Sequence, residues 1–441
     1  MRSDLMEKFD AIIIGFGKAG KTLAGFLAKK NWKVALIEKD AAMYGGTCIN
    51  IACIPTKTIR HDALNGKPYT DSIERKTNVV EKLRDNNFNN LNNLDQVTVF
   101  NGFASFVKDH VLAVELEDKT IEITSDHIFI NTGSQTAVPP IEGVDLPGVY
   151  TSTTLLDEQQ LPKSLAIIGG GYIGLEYASI YRRFGAIVTV IVSGESVLLH
   201  EDEEIREAAI KEMQNQGIQF VNNAHAEKIE EGLIVHCSNG EKVEAEAVLI
   251  ATGRKPNIKK LGLENTSIEV KDGAIVVDEH LQTTVPNTFA LGDVRGDFQF
   301  TYTSLDDFRI VKSKLFEEGS YTSASRGEVP YSLFIDPPFA RIGLTMKQAQ
   351  EKGLSVLEGK VDLKTHPYNH VTDDLRGLFK VVVNAENKQI LGASLFGAQS
   401  PELVNMIKLA MDAKVPFTHL RDQVYTHPTM SEVFNNLFDV K

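Results

Sequence analysis

The first forty residues pass from an apolar run to a glycine-rich turn, then to a helical stretch and a second apolar run. The apolar runs cover residues 9–14 and 34–37, the glycine turn covers 15–20, and the helical stretch covers 21–30. The second run ends at Glu38. Strand, glycine turn, helix and strand in this order predict a βαβ unit.

The same pattern returns in the middle of the chain. Residues 165–168 are apolar, residues 169–174 form a second glycine-rich turn, a helical stretch reaches residue 184, and an apolar run covers 187–192. Two βαβ units predict two separate nucleotide-binding sites in one polypeptide.

The pattern changes after residue 329. A strand-like run at 380–383 and a helical stretch at 402–411 predict a separate α+β domain. Other strand-like runs lie at 97–106, 127–131, 247–251 and 273–278. We therefore predict an α/β fold with two Rossmann-like nucleotide-binding domains and a C-terminal α+β domain.

Composition and charge narrow the class of protein. The 441 residues are 42% hydrophobic and 24% charged, as in globular proteins, and the net charge is −13. Such a charge argues against a nucleic-acid or anionic-membrane partner. The first ten residues lack the apolar region of a secretion signal, and no stretch approaches 18 apolar residues. We expect a cytoplasmic protein with no membrane span.

The chain has three cysteines, Cys48, Cys53 and Cys237. In a reducing compartment a framework of structural disulfides is not expected, so the close spacing of the first two points to catalysis or metal binding. Metal binding is the weaker interpretation, because only His61 and Asp62 lie nearby as further ligands. We predict no metal site and a structural role for Cys237.

The spacing of Cys48 and Cys53 carries a geometric prediction. In an ideal helix, residues five apart have their Cα atoms about 8.6 Å apart. A disulfide needs a Cα separation of roughly 4.4–6.8 Å. The pair can close only if the helix is distorted there, and a strained disulfide is more easily reduced. Two buried thiols that never pair are the alternative.

The first glycine turn fits a dinucleotide site. Gly15, Gly17 and Gly20 let the backbone approach a pyrophosphate at the start of a helix, and Glu38 can accept hydrogen bonds from a ribose. Because strand, helix and acid are all in place, this is a strong signal.

The second glycine turn, with Gly169, Gly171 and Gly174, lacks one part of that pattern. Its second strand ends at Val192 and Ser193 without an acidic residue. An acid there would favour NAD and repel the 2′-phosphate of NADP. Its absence favours NADPH, or the use of both cofactors.

A histidine and a glutamate lie close together near the end of the chain. Histidine is a common proton donor in catalysis, so His427 is a candidate for that role, and Glu432 is a candidate to fix its tautomer. Thr429 and Glu432 also match a capping box, Thr-x-x-Glu. The two interpretations are compatible.

Together these segments resemble the class I pyridine nucleotide–disulfide oxidoreductases, which include glutathione reductase, dihydrolipoamide dehydrogenase and mercuric reductase. The resemblance covers essentially the whole chain. The segments that carry it, in the family order, are Gly-Gly-Thr-Cys-x4-Cys-Ile-Pro-Thr-Lys, Gly-Gly-Tyr-Ile-Gly-Leu-Glu, Ala-Thr-Gly-Arg-x-Pro-Asn, Leu-Gly-Asp and His-Pro-Thr-x-x-Glu.

The resemblance implies a glutathione reductase-like architecture. It implies an FAD-binding domain formed by residues 1–150 and 278–327, an NAD(P)H-binding domain at 151–277 and a dimerisation domain at 328–441. The implied FAD-binding residues are Gly15, Gly17, Gly20, Glu38, Lys39, Gly46, Thr47, Lys57, Thr132, Gly133 and Asp293. The implied NAD(P)H-binding residues are Gly169, Gly171, Tyr172, Ile173, Gly174 and Gly253.

The resemblance also implies catalytic roles. Electrons would pass from NAD(P)H through FAD to Cys53, the flavin-proximal thiol, and on to Cys48, the interchange thiol that meets substrate. Lys57 and Glu176 match an ion pair near the flavin. In the family the histidine and glutamate reach the cysteines of the other subunit. His427 and Glu432 therefore imply a homodimer with shared active sites.

Two departures from the family pattern are visible. Ala52 replaces the usual glycine before the second cysteine; because alanine fits a helix well, we expect only a small change in rigidity. The chain has no C-terminal cysteine pair, which counts against mercuric reductase and against thioredoxin reductases with an extended tail.

A narrower resemblance concerns the substrate. Residues 14–23, 42–48, 303–309 and 420–423 resemble the bacterial reactive-chlorine-resistance branch. That branch implies a small oxidant as substrate, hypothiocyanous acid, in defence against oxidative stress. The alternatives are a low-molecular-weight disulfide, dihydrolipoamide, copper or mercuric ions, and a flavin redox sensor with little turnover.

Overall fold

The computed structural model describes residues 6–440. The strands are β1 (Glu7–Ile14), β2 (Val34–Glu38), β3 (Val97–Asn101), β4 (Phe103–Lys108), β5 (Val111–Glu115), β6 (Thr120–Ile130), β7 (Ser134–Thr136), β8 (Val149–Thr151), β9 (Ser164–Ile168), β10 (Ile187–Ile191), β11 (Ile218–Val221), β12 (Ala226–Glu230), β13 (Ile234–Cys237), β14 (Lys242–Glu244), β15 (Ala247–Ile250), β16 (Arg254–Pro256), β17 (Val270–Lys271), β18 (Ala274–Ile275), β19 (Thr288–Ala290), β20 (Tyr331–Leu333), β21 (Phe339–Gly343), β22 (Val356–Asp362), β23 (Gly377–Asn384) and β24 (Ile390–Gly397).

The α-helices are α1 (Lys18–Ala28), α2 (Thr47–Asn50), α3 (Cys53–Leu64), α4 (Tyr69–Asn92), α5 (Tyr172–Phe184), α6 (Glu203–Asn215), α7 (Thr301–Phe316), α8 (Met346–Glu351), α9 (Pro367–Val371), α10 (Ser400–Asp412), α11 (Phe417–Asp422) and α12 (Val433–Leu437). Short 3₁₀ turns lie at Ala41–Met43, Thr154–Asp157, Leu263–Asn265, Gly292–Arg295, Ser323–Arg326, Leu363–Thr365 and Met430–Glu432.

The chain forms two compact units. The first unit consists of residues 1–137, 152–159 and 253–326, and the second consists of 138–151, 160–252 and 327–441. The chain therefore leaves the first unit and returns to it. The domain boundaries implied by the family resemblance remain a prediction.

The first unit is built on a largely parallel sheet with the strand order β3-β2-β1-β6-β5-β4, and β19 lies beside β6. Strands β2 and β6 flank β1 in parallel, so that Ile13 pairs with both Leu36 and Phe129. All three side chains are fully buried. Such continuous apolar strands are typical of a sheet covered on both faces, and α1 and α7 pack together against this one.

The second unit contains two five-stranded sheets and a smaller antiparallel sheet with the order β12-β13-β14. The first is a parallel sheet with the order β11-β10-β9-β15-β8, which carries α5 on the connection between β9 and β10. The second is an antiparallel sheet with the order β20-β21-β24-β23-β22. The apolar core of the antiparallel sheet is shared with α10 and α12.

Lys380, on β23 of the five-stranded antiparallel sheet, connects this sheet to α6. Its Nζ atom donates to Asp202 at the start of α6 at 3.0 Å and also pairs with Glu358 at 2.9 Å. The side chain is only 8% exposed, and these carboxylates raise the pKa of Lys380 against the opposing effect of burial. A buried cation with several anionic partners fixes the position of β23 relative to α6.

Both predicted βαβ units are confirmed. The first helix begins at Lys18, three residues earlier than predicted, because Gly17 already serves as its N-terminal cap. The run at 97–106 is two strands, interrupted at Gly102. Among residues 273–278, only Ala274 and Ile275 form a strand. The helix predicted at 402–411 extends over Ser400–Asp412.

Within residues 6–440, no helix is both long enough and apolar enough to cross a membrane.

Gly359 provides a test of the packing in the second unit. A Cβ atom at this position on β22 would lie 1.8 Å from the carbonyl oxygen of Leu437 on α12. We expect Gly359→Ala to push α12 from the sheet and lower the free energy of unfolding by about 1–3 kcal/mol, measured by urea denaturation. Gly194→Ala is the control, because its Cβ would find its nearest neighbour at 3.5 Å. Equal stabilities of the two variants would contradict the contact.

Candidate active site

The first glycine turn is closed tightly onto its own backbone. Gly15 has a φ of +102°, and a Cβ atom there would lie 2.4 Å from the carbonyl oxygen of Asn131. A Cβ atom on Gly20 would lie 2.6 Å from the Gly15 carbonyl oxygen. Only glycine permits this approach, which leaves bare backbone N–H groups at the start of α1.

Side chains distant in sequence hold this turn in place. The Asn131 carboxamide accepts a hydrogen bond from Gly20 N at 2.9 Å and donates one to Leu291 O at 2.7 Å. The hydroxyl of Ser304 on α7 accepts from Ala19 N at 3.2 Å. The turn is therefore fixed by residues from three separate parts of the first unit.

Glu38 lies at the end of β2, beside the glycine turn. Its carboxylate accepts from Phe16 N at 3.0 Å and from Asp40 N at 3.3 Å, and burial raises its pKa against the effect of these bonds. Both bonds fix the carboxylate next to the turn, where it can also accept from a ribose hydroxyl. Lys39 follows it in an exposed position.

A second glycine segment approaches the same turn. Gly46 has a φ of +83°, and a Cβ atom there would lie 2.8 Å from the Cα of Gly17. This approach brings Thr47, the first residue of α2, to the glycine turn. The buried hydroxyl of Thr132 has no hydrogen-bond partner within the described part of the chain, and Gly133 next to it leaves open space.

Asp293 belongs to a short chain of hydrogen bonds in the first unit. The Ser134 hydroxyl donates to its carboxylate at 2.7 Å, and Arg254 Nε donates to that hydroxyl at 2.8 Å. Glycine backbone without side chains, two half-buried carboxylates (Glu38 and Asp293) and an unsatisfied hydroxyl together fit a dinucleotide such as FAD.

The helix carrying the cysteines is broken between them. Helix α2 ends at Asn50 and α3 begins at Cys53, while Ala52 has φ −139° and ψ −102°. The predicted distortion is confirmed. The reason given for tolerating Ala52 was wrong, because this residue caps α3 and lies outside the helix.

Cys48 and Cys53 are thiols in this structure and interact directly. The pKa of Cys48 is raised, first by a hydrogen bond to Cys53 and then by burial. The Cys48 thiol therefore tends to keep its proton beside Cys53. The Thr301 hydroxyl lies 3.7 Å from the Cys53 sulfur and lowers the pKa of Cys48 through a hydrogen bond.

Thr301 and two further residues near the thiols were not predicted from the sequence. The exposed Tyr302 follows Thr301, and its pKa is raised by burial of the hydroxyl and by the charge of Cys53. Lys21 is close enough that its charge lowers the pKa of Cys48. The only signal for Lys21 was its place in the branch-like segment 14–23.

The second glycine turn repeats the steric pattern of the first. Gly169 has a φ of +117°, and its Cβ would lie 2.4 Å from Ala251 O. A Cβ atom on Gly174 would lie 2.1 Å from Gly169 O. A Cβ atom on Gly171, by contrast, would have no heavy atom of the described residues within 4 Å apart from its neighbours in the chain, so this position faces open space.

Tyr172 is the first residue of α5 and is 40% exposed. Its hydroxyl donates to the buried carboxylate of Glu201 at 2.9 Å, and Tyr331 donates to the same oxygen at 2.7 Å. Burial and the charge of Glu201 raise the pKa of Tyr172 to about 12. Ile173 is half-buried beside it. Both lie where the resemblance places NAD(P)H.

Three further predicted residues, Glu176, Lys57 and Gly253, are divided between the two units. Glu176 on α5 accepts from Phe334 N at 2.9 Å in the second unit. Lys57 lies on α3 in the first unit, so its ion pair with Glu176 remains a prediction. Gly253 also belongs to the first unit, where its carbonyl accepts from Ala137 N at 2.9 Å.

His427 and Glu432 are brought together as predicted. The Nδ1 atom of His427 lies 2.8 Å and 2.9 Å from the two carboxylate oxygens of Glu432, and this contact lowers the pKa of Glu432. Glu432 also accepts from Thr429 N at 3.3 Å and completes a capping box. The His427 side chain is 64% exposed, so its other ring nitrogen is available to a reaction partner.

Within residues 6–440, no group of three or more His, Cys, Asp and Glu side chains is arranged to hold a metal ion. Cys237 is buried in β13, which raises the pKa of its thiol.

Comparisons with known proteins agree with this arrangement. A family model described as pyridine nucleotide-disulphide oxidoreductase matches residues 9–307, and the model of its dimerisation domain matches residues 329–438. The chain is 46% identical over 440 residues to the probable pyridine nucleotide-disulfide oxidoreductase RclA of Escherichia coli, covering 99% of this chain and 100% of that protein.

Two further comparisons extend this result. The solved Cu(II) complex of the HOCl-induced flavoprotein disulfide reductase RclA from Escherichia coli matches with a TM-score of 0.96 at 46% identity, covering 98% of this chain and 99% of that one. The mercuric reductase of Bacillus cereus is 32% identical over 448 residues, covering 96% of this chain and 70% of that protein.

Gly171 offers a test of the second nucleotide site. Gly171→Ala has room for its methyl group and an ordinary φ of −78°, so we expect wild-type stability and colour. If a pyrophosphate approaches this backbone, the methyl group should raise the KM for NAD(P)H about tenfold in steady-state assays. Gly25→Ala on α1, with 3.5 Å of clearance, is the control. An unchanged KM would place the cofactor elsewhere.

Proposed function

This chain belongs to the pyridine nucleotide-disulphide oxidoreductase family, and we propose that it reduces a small oxidant, hypothiocyanous acid, in defence against reactive chlorine stress. It is an FAD-dependent oxidoreductase that uses NAD(P)H. The observation that carries the proposal is the pair of thiols, Cys48 and Cys53, held at a helix break beside the first glycine turn.

The residues that would hold FAD are those of the first glycine turn, with Glu38, Gly46, Thr132 and Asp293 around it. When bound, FAD supplies two-electron transfer between the nicotinamide and the cysteine pair. The residues that would hold NAD(P)H are Gly171 and its neighbours at the start of α5.

The two thiols have different tasks because their environments differ. Cys53 is the flavin-proximal thiol of this proposal, and its contact with Cys48 raises the pKa of the Cys48 thiol. Cys48 donates a hydrogen bond to Cys53 and must lose its proton before attacking the substrate. Thiolate, rather than thiol, is the nucleophile in such reactions.

The reaction with hypothiocyanous acid balances in two steps. The Cys48 thiolate attacks the electrophilic sulfur and forms a Cys48–thiocyanate adduct, while the departing hydroxide takes a proton and leaves as water. The Cys53 thiolate then attacks the Cys48 sulfur, forms the disulfide and releases thiocyanate. The two cysteines lose two electrons and the oxidant gains them, so NAD(P)H has to restore the dithiol for the next turnover.

The proton for the departing hydroxide comes, in this proposal, from the partner subunit's His427. An imidazole whose Nδ1 contacts a carboxylate at 2.8 Å presents its Nε2 as the proton donor. The match to a dimerisation domain at 329–438 supports a homodimer. Several apolar side chains in this region are exposed in the single chain, namely Val371, Leu375, Met406, Leu409 and Val424. Burial of such side chains favours association.

The choice of substrate is supported by the HOCl-induced relative, which shares 46% of its residues with this chain over nearly its whole length. The Cu(II) complex of that relative makes copper reduction a second candidate. Other relatives include mercuric reductases and a dihydrolipoyl dehydrogenase from Chlamydia pneumoniae, so each of their substrates belongs in the test.

The proposal predicts fast NADPH or NADH oxidation by the purified flavoprotein with hypothiocyanous acid. Oxidised glutathione, dihydrolipoamide with NAD, mercuric ions and Cu(II) should support much slower turnover. Cys48→Ser should abolish the fast reaction while the variant retains bound FAD, because its interchange thiolate is missing. If another acceptor supported faster turnover, that acceptor would replace hypothiocyanous acid as the proposed substrate. If NAD(P)H reduced the enzyme only once and no acceptor supported turnover, the result would favour a redox sensor.

Glu432→Gln separates the capping role of this residue from its catalytic role. Glutamine can complete the same capping box, so we expect wild-type stability. Loss of the carboxylate charge should slow reoxidation of the reduced enzyme by hypothiocyanous acid roughly tenfold, and His427→Gln should slow it roughly 10²–10⁴-fold. Reduction by NAD(P)H, followed in the same stopped-flow instrument, should keep its rate. Equal slowing of both half-reactions would contradict the assigned role.

A further inference from the structure

Lys21 on α1 contacts the turn that carries Cys48. Its Nζ atom donates to Gly45 O at 3.2 Å and to the side-chain oxygen of Asn87 at 2.6 Å. Asn87 lies on α4, and its own amide donates to Leu83 O at 2.6 Å. The Lys21 ammonium therefore links the Gly45–Gly46 turn to the long helix α4. Cys48 follows Gly45 by three residues.

Hydrogen bonds to backbone carbonyls help to define the segment before Cys48, together with the bond from Gly46 N to Met43 O at 2.8 Å. Gly45 and Gly46 both have positive φ angles and no side chains. Asn50 secures the Gly46 carbonyl at 2.9 Å, and Arg84 Nε holds the Asn50 side chain at 2.9 Å. Lys21 secures the Gly45 carbonyl. Successive carbonyls of one turn are thus held by Lys21 directly and by Arg84 through Asn50.

The charge of Lys21 acts on Cys48 as well as on the backbone. Burial lowers the pKa of Lys21 to about 8, and the neighbouring Lys18 adds to this shift, whereas the charge of Cys48 opposes it. In turn, Lys21 and Thr301 lower the pKa of Cys48, against the larger effects of Cys53 and of burial. Below pH 8 most of Lys21 is charged, so an ammonium group remains beside the thiol that has to ionise.

We propose that Lys21 is a positioning residue of the redox centre: its ammonium fixes the turn that begins the Cys48 helix and its positive charge favours the Cys48 thiolate. This inference rests on the proposed function in one respect, that Cys48 is the thiol that attacks the oxidant. The inference adds Lys21, on α1, to the residues that influence the reactivity of Cys48.

The test measures the reactivity of Cys48 without any oxidant. The holoenzyme is reduced with NADPH and treated with iodoacetamide at several pH values, and mass spectrometry gives the rate of labelling at Cys48. We expect Lys21→Met to slow labelling about three- to tenfold at pH 7 and to move its midpoint to higher pH, because an adjacent positive charge lowers a thiol pKa. Lys21→Arg should restore most of the rate.

The matched control is Lys29→Met, which removes the same charge at the exposed opposite end of α1 and should label like the wild type. Asn87→Asp provides a second route if Lys21→Met does not fold. Its carboxylate would offset the Lys21 charge while keeping an acceptor for Nζ, so labelling of Cys48 should slow in the same direction.

Wild-type labelling rates and midpoints in Lys21→Met, or in Asn87→Asp, would overturn the proposal. Because the assay contains no oxidant, a different physiological substrate would leave its result unchanged. Conversely, fast turnover with hypothiocyanous acid in wild-type enzyme would stand even if Lys21 had no effect on Cys48.

Discussion

The break in the helix between Asn50 and Cys53 is the constraint on which the redox site depends. A continuous helix would hold the two cysteines too far apart for a disulfide, so the pair exists as a chemical unit only because the backbone departs from helical geometry at Ala52. The rest of the first unit supports this departure. Thr301 approaches the thiols from another helix, and Gly46 brings the same segment against the first glycine turn.

Hydrogen bonds and nearby charges influence the protonation of the groups in the site. The Cys48 thiol tends to keep its proton, because its hydrogen bond to Cys53 and its burial raise its pKa. Near the end of the chain, Glu432 contacts His427 while it also caps a 3₁₀ turn. The pair proposed for proton donation is therefore held by the same bonds that define its local backbone.

Features set by neighbouring residues in the sequence could be predicted, whereas contacts between residues distant in the sequence could not. Both βαβ units could be predicted because apolar runs and glycine turns occupy adjacent positions in the chain. The distortion near Cys53 followed from helix geometry alone. Thr301 and Lys21 were missed because their contacts with the cysteine segment span long stretches of sequence and leave no periodic pattern. The role expected for Ala52 failed for a different reason, since Ala52 lies in the gap between α2, which ends at Asn50, and α3, which begins at Cys53.

Asn131 and Ser304 give the first glycine turn an unusual dependence on the order of synthesis. The turn lies near residue 20, but the groups that hold its backbone come from residue 131 and from residue 304, and Asn131 itself is tied to Leu291. A ribosome must therefore complete the whole intervening unit before this turn gains all its bonds. If this turn holds the flavin as proposed, the flavin would bind only after the returning segment has emerged.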